Sequence, residues 1–120
     1  MGHTDLFKSL PTDLLIDNQF VKGEGVAEPV LNPSTGELLC QVHEASSEQV
    51  QRAVSAAHRA FESWSQTTPM ERSRLLLKIA DAIEQHAESF ARLESLNCGK
   101  PYARALEDEI PAIADCFRYF

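Results

Sequence analysis

Two helix starts, each marked by a reciprocal capping motif, constrain this chain more than any other feature. Ser46 precedes Gln49 by three residues, and Thr68 precedes Glu71 by the same spacing. Each pair can satisfy two backbone N–H groups at a helix N-terminus. Pro69 suits the first helical position, because its missing N–H would have no partner there. Since apolar residues follow both motifs at helical spacing, the pattern predicts an amphipathic helix of about five turns after Ser46 and a second helix after Thr68.

The apolar stripes predicted for these helices differ in length. The first consists of Val50, Ala53, Val54, Ala57, Phe61 and Trp64, and the second of Leu76, Ile79, Ala80, Ile83, Ala87, Phe90, Ala91 and Leu93. Gly99 and Pro101 stop the second helix. A third helical stretch, from Tyr102 to Phe120, contains Pro111, which must kink or restart the helix because proline lacks an N–H and crowds the preceding turn. The apolar pattern is still running at Phe120, an ending that suggests truncation.

The residues before the first helix favour strands and turns. Residues 1–13 are predicted to be a flexible leader. Leu14–Val21 is rich in β-formers around an Asp-Asn turn signal, which predicts a strand, a turn and a second strand. Gly23–Gly25 is predicted to be a flexible loop, Pro29–Leu31 is extended, and Leu38–Val42 is a third strand candidate. The predicted fold class is α+β, with two or three short N-terminal β-strands followed by three amphipathic helices.

Charge and composition exclude several classes of function. The 120 residues include 18 acidic and 11 basic side chains, a net charge of −7. Such a chain repels nucleic acid and anionic membranes, so we expect neither as a partner. No apolar run is long enough to span a bilayer and no signal peptide is evident, so the expected compartment is cytoplasmic. The spacing of the cysteines and histidines fits neither a disulfide framework nor a metal site. These residues are Cys40, Cys98, Cys116, His3, His43, His58 and His86.

Cys98 and the segment Gly99–Pro101 invite a catalytic interpretation, but a structural one is better supported. Cys98 lies at the C-terminal end of a predicted helix, where the dipole disfavours a thiolate, and no histidine is near it in sequence. Gly-Lys-Pro lacks the upstream glycine of a phosphate loop, and Pro101 stands where Ser or Thr is required. Gly99–Pro101 is therefore interpreted as a helix stop with a turn, and Cys40 and Cys116 as small packing groups.

Several motifs resemble one enzyme family. Asn32–Glu37 (NPSTGE) is a strong turn signal that resembles the "NPxTGE" turn of aldehyde dehydrogenases, and Leu93–Pro101 (LESLNCGKP) resembles their "LExxxxGKP" element. The spacing between the two motifs, with two capped helices between them, also fits. Residues 64–69 (WSQTTP), 108–113 (DEIPAI) and 117–120 (FRYF) resemble bacterial γ-aminobutyraldehyde (1-pyrroline) dehydrogenases. Betaine aldehyde dehydrogenases are close relatives of that branch.

The resemblance implies that residues 14–120 are the N-terminal segment of an aldehyde dehydrogenase cofactor-binding domain, incomplete here and α/β in the intact family. In that family a cysteine thiolate attacks the aldehyde, hydride passes to NAD, and a glutamate-activated water releases the acid. All these groups lie downstream of the matched segment. No catalytic and no cofactor-binding residue therefore carries over, and we expect this chain alone to be inactive and to bind no NAD.

One possible ligand site carries over from the betaine aldehyde branch. Some relatives hold a monovalent cation with backbone carbonyls just before the "NP" turn and an acidic residue just before "Ile". Those positions match Val30, Leu31 and Glu109. Oxygen ligands suit a hard cation. Glu replaces the Asp of those relatives and the remaining ligands lie downstream, so the alternative interpretation of Glu109 is a surface carboxylate.

Three hypotheses remain open for the chain itself. It could be a fragment of an enzyme whose intact relatives oxidise aminoaldehydes such as γ-aminobutyraldehyde with NAD. It could instead be a stand-alone helical interaction module, or a truncated product without function. The resemblance favours the first for origin but does not separate the three for present activity. The expected partners are the remainder of the dehydrogenase fold or a second copy, docked through exposed apolar helix faces.

Overall fold

The computed structural model describes residues 10–120, which form parts of two compact units. The first unit contains the residues up to Leu31 together with Gly36–Gln66, and the second contains Asn32–Thr35 and Thr67–Phe120. Residues 1–9, most of the predicted leader, lie outside the described residues. Short strands precede the helices, so the predicted α+β class is confirmed.

The first unit begins with a β-hairpin. Strand β1 (Leu14–Ile16) pairs antiparallel with β2 (Gln19–Val21). The turn falls on the predicted Asp-Asn pair, where Asp17 and Asn18 have φ of 54° and 60°. A two-residue type I′ turn requires left-handed backbone at both positions, and Asp and Asn tolerate it better than most residues. The local turn chemistry therefore sets the register of this hairpin.

A second antiparallel pair brings the number of strands in the described residues to four, where two or three were predicted. Strand β3 (Ala27–Leu31) pairs with β4 (Leu38–His43), with an irregularity in register between Val30 and Leu31. The segment around Pro29, predicted only to be extended, is the additional strand. A two-stranded ribbon tolerates proline because each strand has a free edge.

The loop Gly23–Gly25, predicted to be flexible, is packed closely against the end of β4. A Cβ at Gly23 would lie 2.4 Å from the carbonyl oxygen of His43, and one at Gly25 would lie 2.9 Å from that of Glu44. The N–H of Gly25 also donates to the Glu44 carbonyl at 2.8 Å. These glycines permit close approach of two backbone segments, which is a different reason for glycine than chain flexibility.

Helix α1 (Ser47–Trp64) begins with the predicted capping box. The N–H of Gln49 donates to Ser46 Oγ at 3.2 Å, and the N–H of Ser46 donates to Gln49 Oε1 at 3.0 Å. Gln49 is only 2% exposed, and its amide also bonds the preceding loop. Its Oε1 accepts from Glu24 N at 3.0 Å, and its Nε2 donates to Lys22 O at 2.8 Å. One side chain therefore caps α1 and anchors residues 22–24.

In the second unit the predicted second helix is two helices, α2 (Pro69–Gln85) and α3 (Ala87–Cys98). The prediction of one continuous helix is wrong at His86, whose φ of −109° and ψ of 16° end α2. Neither Gly nor Pro marks this break. It allows α3 to turn its Ala91, which is fully buried, into a core with Ala105 and Ile110. Tertiary packing decides this boundary.

The third helical stretch is divided into α4 (Tyr102–Arg104), a π-helix (Ala105–Glu109) and α5 (Ile110–Tyr119). Pro111, predicted to kink or restart the helix, is the second residue of α5, which begins directly after the π-helix. A proline at this position cannot donate to the carbonyl four residues earlier. The wider π turn accommodates it, because the N–H of Ile110 donates to Ala105 O, five residues back.

Small side chains allow the helices of the second unit to approach closely. Ala80 of α2 and Ala114 of α5 are fully buried, as are Ala91 and Ala105. In the predicted second stripe Leu76, Ile83, Ala87 and Leu93 are half-buried, whereas Ile79 and Phe90 remain exposed. At the chain end Ile113 and Phe120 are exposed and Phe117 is half-buried.

Within residues 10–120, no helix combines the length and the hydropathy needed to cross a membrane.

Candidate functional site

Lys100 lies at the centre of a charged cluster in the second unit. Helix α3 ends at Cys98, and Gly99 has φ of 77°, the left-handed conformation that commonly closes a helix C-terminus. Lys100 Nζ donates to Glu109 Oε1 at 2.6 Å and Oε2 at 2.5 Å, and to Glu94 Oε1 at 3.2 Å. We call Glu94, Cys98, Lys100 and Glu109 the Lys100 cluster. It joins the last turn of α3 to the end of the π-helix.

The electrostatics of the Lys100 cluster favour a structural role. Hydrogen bonding to Glu109, supplemented by Glu94, raises the pKa of Lys100 above its ordinary value of 10.5, so the ammonium stays charged. Hydrogen bonds from the Cys98 thiol and then from Lys100 lower the pKa of Glu94. A carboxylate with a lowered pKa is a weak base, so Glu94 is poorly suited to remove the thiol proton.

Cys98 is a hydrogen-bond donor in this arrangement. Its Sγ donates to the Glu94 carbonyl oxygen at 3.1 Å and to Glu94 Oε1 at 3.3 Å. Cys98 and Cys116 are exposed, and Cys40 is half-buried. The prediction that Cys116 is a packing group is therefore wrong: its helix position faces outward. Cys98 lies at a helix C-terminus, as predicted, beside a carboxylate that is a poor base.

The proposed cation contacts lie in different units. Val30 and Leu31 belong to β3 in the first unit, whereas Glu109 ends the π-helix of the second. Both carboxylate oxygens of Glu109 accept from Lys100, so a cation there would compete with an ammonium group that is already bound. Cation binding by Val30, Leu31 and Glu109 therefore stays a prediction. In the part of the chain that the structure describes, no three or more His, Cys, Asp or Glu side chains are grouped to hold a metal ion.

Three of the four histidines can be placed. His58 and His86 lie off the predicted apolar stripes and are exposed. His43 Nδ1 lies 3.5 Å from the carbonyl oxygen of Gly25, beside the glycine loop. His3 lies outside the described residues. Each placed histidine therefore has a local structural role or faces solvent.

Sequence reasoning missed Arg118, which connects α5 to α2. Its guanidinium holds Glu84 with two parallel bonds, Nη1 to Oε1 at 2.7 Å and Nη2 to Oε2 at 2.6 Å. Asp81 and Asp115 each lie 3.4 Å from the same group. The bidentate bond lowers the pKa of Glu84 and raises that of Arg118. Arg118 and Glu84 are 34 residues apart, so no local spacing rule reveals the pair.

Two open grooves flank the β1–β2 hairpin in the first unit. One, of about 370 Å³, is lined mostly by polar residues, which include Asp17, Glu48, Gln51, Arg52, Ser55 and Arg59. The Arg59–Asp17 ion pair, at 3.2 Å, lies at its edge. The other, of about 340 Å³, is mainly apolar and includes Leu15, Ala53, Ala56, Ala57 and Ala60. Neither lining contains a cysteine or a histidine.

Residues 20–120 match the model of the aldehyde dehydrogenase family. An aldehyde dehydrogenase of Alternaria alternata is 44% identical over 112 residues, which cover 92% of this chain and 22% of that protein. The mitochondrial benzaldehyde dehydrogenase of Antirrhinum majus is 39% identical over 110 residues, which cover 89% and 21%. This chain therefore spans about a fifth of the length of these curated relatives.

Solved structures show the same local fold. The betaine aldehyde dehydrogenase of Staphylococcus aureus in complex with NAD⁺ superposes with a TM-score of 0.90 at 36% identity, covering 98% of this chain and 24% of that one. PnpE in complex with nicotinamide adenine dinucleotide superposes with a TM-score of 0.88 at 42% identity, covering 92% and 23%. The fold of this chain therefore matches a portion of those larger chains.

Proposed function

Because the chain belongs to the aldehyde dehydrogenase family, we propose that it serves as a framework segment of an NAD-dependent dehydrogenase subunit that oxidises aminoaldehydes such as γ-aminobutyraldehyde to acids. The match over residues 20–120 carries this proposal. Under this proposal, the remainder of the subunit supplies the nucleophile, the base and the NAD site. The proposed compartment is the cytoplasm.

The framework role is supported by what the polar side chains of this chain do. The Lys100 cluster ties α3 to the π-helix, and Arg118 ties α5 to α2. Gln49 holds the loop at residues 22–24 against the start of α1. These contacts fix the positions of secondary structure elements, and none of them prepares a thiolate or a free base for attack on a carbonyl.

The aminoaldehyde substrate is supported by motif. The segments at 64–69 and 108–113 resemble the γ-aminobutyraldehyde branch. The Staphylococcus aureus neighbour is a betaine aldehyde dehydrogenase, and both substrates carry a cationic nitrogen on a short carbon chain that ends in the aldehyde group. Overall identity does not choose between aldehydes, because a benzaldehyde dehydrogenase is similar to the same degree. The two motifs are therefore the reason to favour an aminoaldehyde for the subunit that contains this segment.

Activity assays test whether the catalytic groups lie outside this segment. The purified chain, incubated with γ-aminobutyraldehyde and NAD, is expected to form no NADH above a buffer blank, because it supplies no catalytic group. Turnover that is abolished by Cys98→Ala would overturn this. A chimera in which residues 14–120 replace the aligned segment of the Staphylococcus aureus enzyme is expected to fold and oxidise betaine aldehyde. An insoluble or inactive chimera would contradict the framework role.

A substrate comparison tests the finer proposal. The full subunit that contains this segment should show a higher kcat/KM for γ-aminobutyraldehyde than for benzaldehyde. The reverse order would reject the aminoaldehyde assignment and leave the family unchanged.

A further inference from the structure

The polar groove beside the β1–β2 hairpin has charged groups of both signs in its lining. They are the carboxylates of Asp17 and Glu48 and the guanidinium groups of Arg52 and Arg59, and Ser55 adds a hydroxyl. The four of these residues that belong to α1 follow one another at spacings of four, three and four positions. Side chains at such spacings lie on one face of a helix, so α1 presents a row of polar groups to the groove.

The two arginines of the polar groove are unusual in their surroundings, because the first unit is strongly acidic. Between residues 10 and 66 the sequence has eight Asp or Glu side chains and only three Lys or Arg side chains. Two of those three basic side chains, Arg52 and Arg59, line this groove. The groove therefore holds most of the positive charge in the described part of the first unit, and it is the place there where a carboxylate can be bound.

The charges of the polar groove are only weakly paired within the protein. Arg59 donates to Asp17 at 3.2 Å, but their side chains are 64% and 69% exposed. An exposed ion pair contributes little to stability, so a ligand can replace one of its partners at low cost. Within the described residues, Glu48 and Arg52 make no ion pair with each other or with any other side chain, although they are four positions apart on α1. All four charges are therefore available to a bound molecule.

We propose that the polar groove binds a small zwitterion, with its ammonium group on Glu48 and its carboxylate on Arg52 and Arg59. A ligand with one sign of charge is less suitable, because two carboxylates and two guanidinium groups line the groove and half of them would repel it. Charge-assisted hydrogen bonds suit both ends of a zwitterion. The helix rises about 6 Å from Glu48 to Arg52. Three methylene groups between an ammonium and a carboxylate span roughly the same distance.

The choice of zwitterion rests on the proposed function. Oxidation of an aminoaldehyde to an acid yields an amino acid with its two charged groups at opposite ends, which is a zwitterion at neutral pH. For γ-aminobutyraldehyde that product is γ-aminobutyrate. The groove volume of about 370 Å³ lies within the range of small-molecule sites. Because the charged side chains are exposed to water, we expect a dissociation constant of about 1–10 mM.

Titration of the ¹⁵N-labelled chain with γ-aminobutyrate tests the site by nuclear magnetic resonance. The amide resonances of residues 48–59 and of the turn between β1 and β2 should shift and saturate. Butyrate carries only the carboxylate and butylamine only the ammonium group, so each should bind at least about fivefold more weakly. No saturable shift up to about 100 mM would overturn the proposal. Equal binding of butyrate would also overturn it, because the site would then recognise an anion alone.

Matched variants locate the two ends of the bound zwitterion. Arg52→Gln and Glu48→Gln should each raise the dissociation constant for γ-aminobutyrate at least about fivefold, because each removes one charge-assisted contact. Lys22→Gln and Glu62→Gln make the same changes of charge at exposed positions outside the groove lining. These two controls should leave the dissociation constant within about twofold. Equal losses in the groove variants and the controls would overturn the proposal, because binding would then depend on net charge alone.

Folding of the variants is checked by circular dichroism before titration. Arg52 and Glu48 are exposed, so their replacement by glutamine should preserve the helicity of α1. If Glu48→Gln loses helicity, because it removes an acidic side chain from the first turn of α1, the test rests on Arg52→Gln against Lys22→Gln. Binding by Arg52→Gln as tight as by the unaltered chain would overturn the proposal.

Failure of the groove proposal and failure of the proposed function give different results, because the titration needs neither NAD nor turnover. If the chain binds γ-aminobutyrate but the full subunit forms no NADH from γ-aminobutyraldehyde, the proposed function is contradicted and the zwitterion site remains. If the full subunit oxidises γ-aminobutyraldehyde but the chain does not bind γ-aminobutyrate, only the groove proposal is rejected.

Discussion

Helices α1 and α2 begin with the same capping motif, but they differ in which part of the helix is buried. At the start of α1, Gln49 is almost completely buried and bonds two other segments of its unit, whereas Glu71 at the start of α2 is exposed and bonds Thr68. Beyond the first turn the contrast in burial between the two helices is reversed. Val50, Val54 and Phe61 of α1 are exposed, while Ala80 of α2 is fully buried. A capping box fixes where a helix begins, and tertiary context decides what the helix contributes to the core.

The largest expected difference in stability is between variants of the two capping boxes. Gln49→Ala would leave the N–H groups of Glu24 and Ser46 and the carbonyl of Lys22 without their present partner. We expect a loss of about 3 kcal/mol in the free energy of unfolding, since three part-buried hydrogen bonds are lost and each contributes about 1 kcal/mol. Urea unfolding followed by circular dichroism measures it. Glu71→Ala is the matched control and should cost about 1 kcal/mol or less; equal losses would remove the distinction between the two caps.

The next difference concerns the two helix faces. Ala114→Leu adds volume to a fully buried position of α5 and should cost about 2 kcal/mol by overpacking. Ala57→Leu adds the same atoms to an exposed position of α1 and should change the free energy of unfolding by less than about 0.5 kcal/mol. Urea midpoints of the two variants test this directly. A large loss from Ala57→Leu would mean that this face of α1 is packed in solution.

These contrasts show which parts of the molecule follow from local sequence. Both capping boxes, the Asp17-Asn18 turn and the restart at Pro111 were predictable because each depends on the chemistry of a few neighbouring residues. The break at His86 was not, because no helix breaker marks it and burial of Ala91 decides it. The π-helix likewise depends on its surroundings.

The same distinction between local and long-range features applies to the candidate site. Turn and element motifs were enough to predict the family, since they lie in contiguous stretches. The Lys100 cluster and the Arg118–Glu84 pair were not predicted, because they join residues up to 34 positions apart across helix ends. Glu109 was singled out as a cation contact, and its bond with Lys100 required the path of the chain through the π-helix. Long-range charge pairing is the part that sequence spacing alone does not encode.

A smaller effect is expected at the α2 cap. Thr68→Ala removes the oxygen that accepts from the Glu71 N–H at 3.3 Å and should cost about 1 kcal/mol. Thr68→Ser keeps an acceptor and should recover most of that loss. Amide exchange at the first turn of α2 localises the effect, which should spare α1. Equal stability of the Ala and Ser variants would show that the hydroxyl contributes nothing at this site.

The smallest effect should come from the exposed ion pair between α2 and α5. Its bidentate bond to Arg118 lowers the pKa of Glu84 below the ordinary value of 4.5. A carboxylate with a lowered folded-state pKa adds stability above its unfolded pKa and loses that contribution as the pH falls through the folded value. The urea midpoint of the unaltered protein should therefore exceed that of Glu84→Gln near neutral pH, and the gap should close on acidification below 4.5. Raising the salt concentration should narrow it as well, because the carboxylate is exposed. Glu28→Gln, at an exposed position of β3, controls for the change in net charge. A gap that does not depend on pH, or one that Glu28→Gln reproduces, would show that the bond to Arg118 is not what Glu84 contributes to stability.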